Sequence, residues 1–147
     1  MTAHAWCFPL PPVSVNHLYA TVDGHRVMVR PARNWQQLVI AACRQPYTPL
    51  PGGPLAIEIA VRFPDDLRRR DVANIEKLTC DSIAKAHEID DSAFWDVHLY
   101  RILAMPNGSP CLYVRVRKLS AVRDSMWWLK VQPAPIIDQF LPEAKRA

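Results

Sequence analysis

The stretch that decides the fold is Leu55-Ala56-Ile57-Glu58-Ile59-Ala60-Val61-Arg62-Phe63. Apolar side chains at every second position alternate with alanine, glutamate and arginine, which is the two-residue period of a β-strand with one buried face. A loop rich in proline and glycine (47–54) precedes the stretch, and a charged loop (64–70) follows it. We therefore predict a core strand over residues 55–63.

The sequence on either side of this strand predicts two helices and further strands. Pro31 opens a helix with apolar residues at helical spacing, and Pro46 ends it. Asp71 to Ala86 predicts a second helix with one apolar and one polar face. His87 is expected to be solvated at its end. Further strands are predicted at 4–8, at 18–21 and 26–30 (a hairpin turning at Asp23-Gly24), and at 93–104 and 111–118 (a hairpin turning at Asn107-Gly108).

This order of elements predicts an α+β fold. We expect a small mixed β-sheet with two main helices packed on one face, forming a single domain over residues 1–118. Residues 119–147 contain three prolines and the apolar runs 126–129 and 136–137, and we interpret them as a C-terminal extension or arm.

Composition excludes other classes of protein. Half of the 147 residues are hydrophobic, which rules out a disordered chain, and no run reaches the ~18 apolar residues of a membrane span. We expect an intracellular, cytoplasmic protein because the N-terminus lacks the basic and apolar regions of a signal peptide. The sequence contains no glycine-rich phosphate loop and no Cys-x-x-Cys pair.

The charges are unevenly distributed. The net charge is +4, but residues 65–91 hold eight acidic and five basic residues. A basic body favours a polyanionic partner, because Lys and Arg displace counterions from phosphates. An acidic cluster within such a body is typical of a site that holds divalent metal against a phosphate backbone.

The acidic segment contains the strongest candidate site, made of Arg68-Arg69-Arg70-Asp71 at the start of the second helix and Asp90-Asp91 beyond its end. A helix N-terminus beside three arginines suits phosphate, and two carboxylate clusters joined by one helix can hold a hard cation through oxygen. Spacing alone leaves the ordinary reading open, in which Asp71 is an N-cap and Asp90-Asp91 a turn.

One joint pattern carries a resemblance to a known family. It consists of Leu10-Pro11-Pro12 with Asn16 and Tyr19, Arg70-Asp71-x-x-Asn74-x-x-Lys77, Asp81, and Asp90-Asp91. Over residues 6–118 the chain resembles the RusA-like Holliday-junction resolvases (crossover junction endodeoxyribonucleases), which act in DNA recombination and repair.

The resemblance implies a homodimer that nicks two strands of a four-way junction symmetrically, with Mg²⁺ as cofactor and Mn²⁺ as a possible substitute. It implies Asp71, Asp90 and Asp91 as metal ligands, and Asp71, Lys77 and Asp91 as catalytic residues. The DNA contacts expected from it, together with the basic and polar face of the helix, are Asn16, Arg68, Arg69, Arg70, Asn74, Lys77 and Lys85. We expect no membrane partner.

The chain departs from the family pattern at Ala73, where an aspartate ligand is expected. Two explanations remain open: a natural loss of activity, or a substitution made to trap an uncleaved complex. The otherwise complete site favours the second. The alternative functions are a catalytically inert junction-binding protein, suggested by Ala73, and an RNA-binding accessory domain, suggested by the basic body.

Overall fold

A computed structural model describes residues 4–66, 71–104 and 109–119. In this part of the chain, six strands, two α-helices and two 3₁₀ helices follow one another. They are β1 (His4–Phe8), a 3₁₀ helix (Val15–His17), β2 (Tyr19–Val22), β3 (His25–Met28), α1 (Arg30–Cys43), β4 (Leu55–Arg62), α2 (Ala73–Ala86), a second 3₁₀ helix (Asp91–Ala93), β5 (Phe94–Ile102) and β6 (Cys111–Lys118).

The predicted core strand β4 lies inside a four-stranded mixed sheet of order β1-β6-β4-β5. It pairs in parallel with β5 and antiparallel with β6, so that Ile59 stands between Leu99 and Val114. Ile57, Ile59 and Val61 have no solvent exposure. Each contributes about 1.5–3 kcal/mol through burial, which explains why β4 takes an interior position.

The prediction of a hairpin between the last two strands was wrong. β5 and β6 do not pair with each other, because β4 lies between them. The Asn107-Gly108 turn signal lies outside the described residues. A turn signal indicates only a local reversal of the chain. β4 buries a continuous apolar face, and it therefore gains most from a neighbouring strand on each side.

Both helices pack on one face of the sheet. On β1, Trp6 and Phe8 point to the same side, and they contact one helix each: the Phe8 ring lies 6.4 Å from Trp35 of α1, and the Trp6 ring lies 5.6 Å from His87 at the end of α2. The expectation that His87 is solvated was wrong, since His87 is 5% exposed and also stacks on Tyr47. The α+β class with two helices on a small mixed sheet is confirmed.

The predicted hairpin β2–β3 forms a separate two-stranded sheet. Its turn residues Asp23 and Gly24 both have positive φ, 49° and 77°, which is the backbone of a type I′ turn. Val29 N–H donates to the carbonyl of Leu18 at 2.8 Å and closes its base. Apart from this hairpin and β1, no strand lies before α1 in the described ranges.

The proposed division at residue 118 stays a prediction, because the arm 120–147 lies outside the described residues. β6 ends at Lys118, and Leu119 is still buried and donates its N–H to the carbonyl of Pro54 at 3.0 Å. No helix in the described ranges is long and apolar enough to cross a membrane.

Candidate functional site

Helix α2 separates a buried face from a polar face, as the sequence predicted. Ile75, Leu78, Thr79, Ile83 and Ala86 are buried against the sheet and α1. Asn74, Lys77, Asp81 and Lys85 remain on the opposite face, where Lys77 and Lys85 are exposed. The helix therefore presents the polar residues of the predicted site to solvent.

Asp71 lies just before the first turn of α2. Its Oδ1 accepts a hydrogen bond from the N–H of Ala73 at 2.9 Å, so the carboxylate satisfies one of the free donors at this helix end. Asp71 and Asn74 line an open cavity of about 400 Å³ together with Leu10, Pro11 and Pro12. The proline-rich segment of the sequence pattern thus lines the same cavity as the start of α2.

Lys77 and Asp81 form the centre of the polar face. Lys77 Nζ lies 3.2 Å from Asp81 Oδ2, one helical turn away. The hydrogen bond to Asp81 raises the pKa of Lys77, and the charges of Tyr19 and Asp91 raise it further. Tyr19 and Asp91 therefore lie close enough to Lys77 to affect its pKa.

Asp81 and Asp91 form a carboxylate pair. Burial raises the pKa of Asp81, and a hydrogen bond with Asp91 raises it further, although Lys77 acts in the opposite direction. Two carboxylates in contact disfavour ionisation of both, which is why such pairs are common at functional sites. The structure thus brings together Lys77, Asp81 and Asp91.

Asp90 differs from its neighbour Asp91. Its Oδ1 accepts from the N–H of Ser92 at 2.9 Å and caps the 3₁₀ helix Asp91–Ala93. Hydrogen bonds from Ser92 lower the pKa of Asp90. Both aspartates line an open acidic cavity of about 500 Å³, whose wall also includes Asp81 and Lys85.

The remaining predicted DNA contacts are distributed around α2. Asn16 is exposed on the 3₁₀ helix Val15–His17, which packs against α2. Lys85 Nζ lies 3.3 Å from Gln36 Oε1 of α1. Arg68, Arg69 and Arg70 lie outside the described residues.

The carboxylates fit a cation only in part. Within 4–66, 71–104 and 109–119, no three Asp, Glu, His or Cys side chains are grouped closely enough to hold a metal ion. Ala73 provides no donor, and Asp71 lies about three helical turns from Asp81 along the chain. Asp81 and Asp91 nevertheless offer an adjacent pair, and Mg²⁺ commonly takes one or two carboxylates plus substrate phosphate.

Sequence reasoning gave no site role to two residues that the structure adds. Asp81 was noted as part of the family pattern and of the polar face of α2, but it was given no role, and in the structure it joins Lys77 to Asp91. The available signal was the four-residue spacing between Lys77 and Asp81. Tyr19, also part of the family pattern, begins strand β2 of the hairpin and is one of the groups that raise the pKa of Lys77. No pattern within α2 could have shown that relation.

A family model described as endodeoxyribonuclease RusA matches residues 9–117. No curated protein matches the chain.

Proposed function

The chain belongs to the RusA endodeoxyribonuclease family, and from that premise we propose that it binds four-way DNA junctions as a homodimer through the polar face of α2. The family consists of junction-resolving endonucleases that act on branched DNA and are generally dependent on divalent metal. A four-way junction has two-fold symmetry, so a C₂ dimer would present matching sites to opposed strands.

The cluster of Lys77, Asp81 and Asp91 is the observation that carries this proposal. It combines a half-exposed cation with two carboxylates in contact, and burial together with the contact with Asp91 raises the pKa of Asp81. In the proposed reaction, Lys77 stabilises the negative charge that develops on the scissile phosphate. Asn74 and Asn16 orient the DNA backbone without reading its sequence.

We propose Mg²⁺, or Mn²⁺ in its place, as the cofactor. Asp91 is a proposed ligand, with Asp81 next to it and Asp90 beside it as a capping residue. Asp71, about three helical turns from Asp81, is proposed as a ligand at the start of α2, where an aspartate at position 73 would join it. When bound, the cation would supply an activated water and neutralise charge on the leaving oxygen. The chain's own carboxylates would hold the cation on the face of α2 that carries Lys77.

Ala73 governs the activity expected of this chain. It is exposed in the first turn of α2, four residues before Lys77, so an aspartate there would project beside Lys77. With alanine the donor set is incomplete, and we expect cleavage near background with junction binding retained. The same observation supports the second candidate function, an inert junction-binding protein.

Junction binding and nicking by the chain and its Ala73→Asp variant test the proposal. In Mg²⁺, Ala73→Asp should raise nicking of a four-way junction by about 10²-fold or more, because a held cation contributes several kcal/mol to the transition state. In metal-free buffer the variant should have a lower Tm through carboxylate repulsion, and Mg²⁺ should restore it. Ala42→Asp, an equal charge change at an exposed position of α1, is the matched control and should stay at background.

Three results are informative. If Ala73→Asp binds the junction but neither nicks it nor gains Tm with Mg²⁺, the carboxylate assignment is wrong and the inert binding function replaces the enzyme. If the chain prefers duplex or RNA over the junction, the junction function is wrong. Sedimentation of the protein–junction complex as anything other than two chains per junction would contradict the homodimer.

A further inference from the structure

The β2–β3 hairpin stands apart from the four-stranded sheet. Among the described strands, β2 and β3 pair only with each other. Six of their eight residues are exposed, and these residues lie on both faces of the hairpin. Two contacts fix its base: the Val29 N–H bond to Leu18, and Arg33 Nη2, which donates to the carbonyl of Met28 at 3.0 Å. An exposed two-stranded element held at one end is positioned to contact a partner rather than the core.

Arginines of the hairpin and of the first turn of α1 carry charge that no carboxylate of the described residues neutralises. In the described part of the chain, Arg26, Arg30 and Arg33 make no ion pair. Arginines elsewhere in the described residues do form ion pairs: Arg44 pairs with Glu88, and Arg115 pairs with Glu58. Over residues 16–34 the sequence contains a single acidic residue, Asp23.

One of these arginines is held in place by the hairpin itself. The guanidinium carbon of Arg26 lies 4.5 Å from the centre of the Tyr19 ring. This cation–π contact restricts the Arg26 side chain, and the residue remains exposed to solvent. An ordered arginine loses less conformational entropy when it binds phosphate.

The hairpin begins next to the site on α2. The 3₁₀ helix Val15–His17, which ends two residues before Tyr19, packs on α2. Tyr19 is also one of the groups that raise the pKa of Lys77. Four residues of β-strand extend about 13 Å. A DNA strand with its phosphate at Lys77 could therefore continue along the hairpin for several nucleotides.

We propose that the β2–β3 hairpin is a second DNA-binding element, in which Arg26 and Arg30 contact backbone phosphates of the DNA arm that leaves the site at Lys77. This inference rests on the proposed function, because it takes the DNA strand to lie at Lys77. Arg33 supports the hairpin through its bond to Met28 and is not assigned a phosphate.

The salt dependence of junction binding tests this inference. Each phosphate contact contributes about 0.9 to the slope of log affinity against log salt. In EDTA between 50 and 200 mM salt (roughly the range in which such contacts are resolved), the double variant Arg26→Gln/Arg30→Gln should lower the slope by about two. Arg26→Lys/Arg30→Lys keeps both charges and should retain it.

Arg44→Gln is the matched control. It removes one arginine charge at the opposite end of α1 from Arg30, about 20 Å away. Its slope should equal that of the unsubstituted chain. Equal Tm values for the glutamine and lysine double variants would show that folding is intact.

The outcomes separate the two proposals. If the chain binds junctions and the glutamine double variant keeps the full slope, or changes it no more than Arg44→Gln does, the hairpin inference is wrong and the proposed function stands. If the slope falls by about two but the chain does not prefer junctions over duplex, the hairpin contacts DNA and the junction function is wrong. Absence of all DNA binding contradicts both.

Discussion

Glu58 and Asp81 are two partly buried carboxylates in ion pairs, yet their pKa values move in opposite directions. Glu58 lies on β4, where its side chain is 13% exposed and pairs with Arg115 and with Arg117 at 3.7 Å. The hydrogen bond from Arg115 holds the pKa of Glu58 below its usual value. Asp81 is 23% exposed and pairs with Lys77, but burial and Asp91 raise its pKa.

The difference lies in the number of cations that each carboxylate meets. On the open sheet face two arginines converge on one carboxylate, which is the arrangement of a structural ion pair. On α2 one lysine faces two carboxylates in contact, so the cluster lacks positive charge. A site that is short of positive charge in the free protein is suited to a cationic ligand, and perturbed carboxylates of this kind mark functional sites more often than structural ones.

The largest expected effect is on junction cleavage, when Lys77 of the α2 cluster is compared with Arg115 of the structural ion pair. In an Ala73→Asp background, Lys77→Ala should lower junction cleavage by about 10²-fold or more, because one charge stabilising the transition state is lost. Binding should weaken only modestly. Arg115→Ala is the matched change in the structural pair and should leave cleavage unchanged. Single-turnover nicking rates would measure both.

Equal rates for the Ala73→Asp chain with and without Lys77→Ala would contradict the functional reading of the α2 cluster. Lys77 would then be an ordinary solvated helix lysine, and the contrast with Glu58 would reflect burial alone.

Much of the fold was predictable because its signals are local. The bounds of β1 and β6 were predicted as the structure has them, and the alternation of residues 55–63 identified the central strand within one residue. The Asp23-Gly24 turn was also correct, since its positive φ values depend on those two residues. Asn107-Gly108 failed as a hairpin signal because strand neighbours are chosen by burial across the whole sheet.

The polar residues of the candidate site could be read from the sequence, but the contacts between residues of different elements could not. The polar face of α2 followed from helical spacing. The contact between Asp81 and Asp91 joins a helix to a segment ten residues later, and the placement of Tyr19 beside Lys77 joins the hairpin to α2. Such contacts depend on tertiary packing, which spacing along one element does not encode.

A third group extends the comparison to a buried side chain with no hydrogen-bond partner. In the described residues neither ring nitrogen of His87 has a hydrogen-bond partner. The His87 ring is stacked on Tyr47 and tilted against Trp6. Burial lowers the pKa of His87, and the nearby charges of His4 and Arg44 lower it further. Its stabilising contribution is therefore full above the ordinary value of 6.5 and is lost as the pH falls.

His87→Phe should raise the free energy of unfolding by about 1 kcal/mol at neutral pH, since it removes unpartnered polar atoms and keeps the stacking. The gain should be larger at pH near 5, a value roughly below the range in which histidine titrates. His25→Phe changes an exposed histidine and is the control. Denaturant unfolding at both pH values would measure the difference, and a pH-independent gain would contradict the titration of His87.

The smallest expected effect tests the opposite pKa shifts of Glu58 and Asp81 directly. Because the pKa of Glu58 is lowered in the folded protein, its ionised form stabilises the fold above its ordinary pKa of 4.5, and that contribution is lost as the pH falls. Because the pKa of Asp81 is raised, its contribution is full below the ordinary value of 3.8 and is lost as the pH rises.

The matched neutral isosteres Glu58→Gln and Asp81→Asn should therefore respond to pH in opposite ways. At neutral pH, Glu58→Gln should lower Tm, whereas Asp81→Asn should change stability by no more than about 0.5 kcal/mol. As the pH falls, the deficit of Glu58→Gln should shrink, while Asp81→Asn should lose any advantage over the unsubstituted chain. Thermal unfolding across the acid range would measure both. Parallel pH profiles for the two variants would mean that Asp81 is as well neutralised as Glu58, and the α2 cluster would then no longer differ from a structural ion pair.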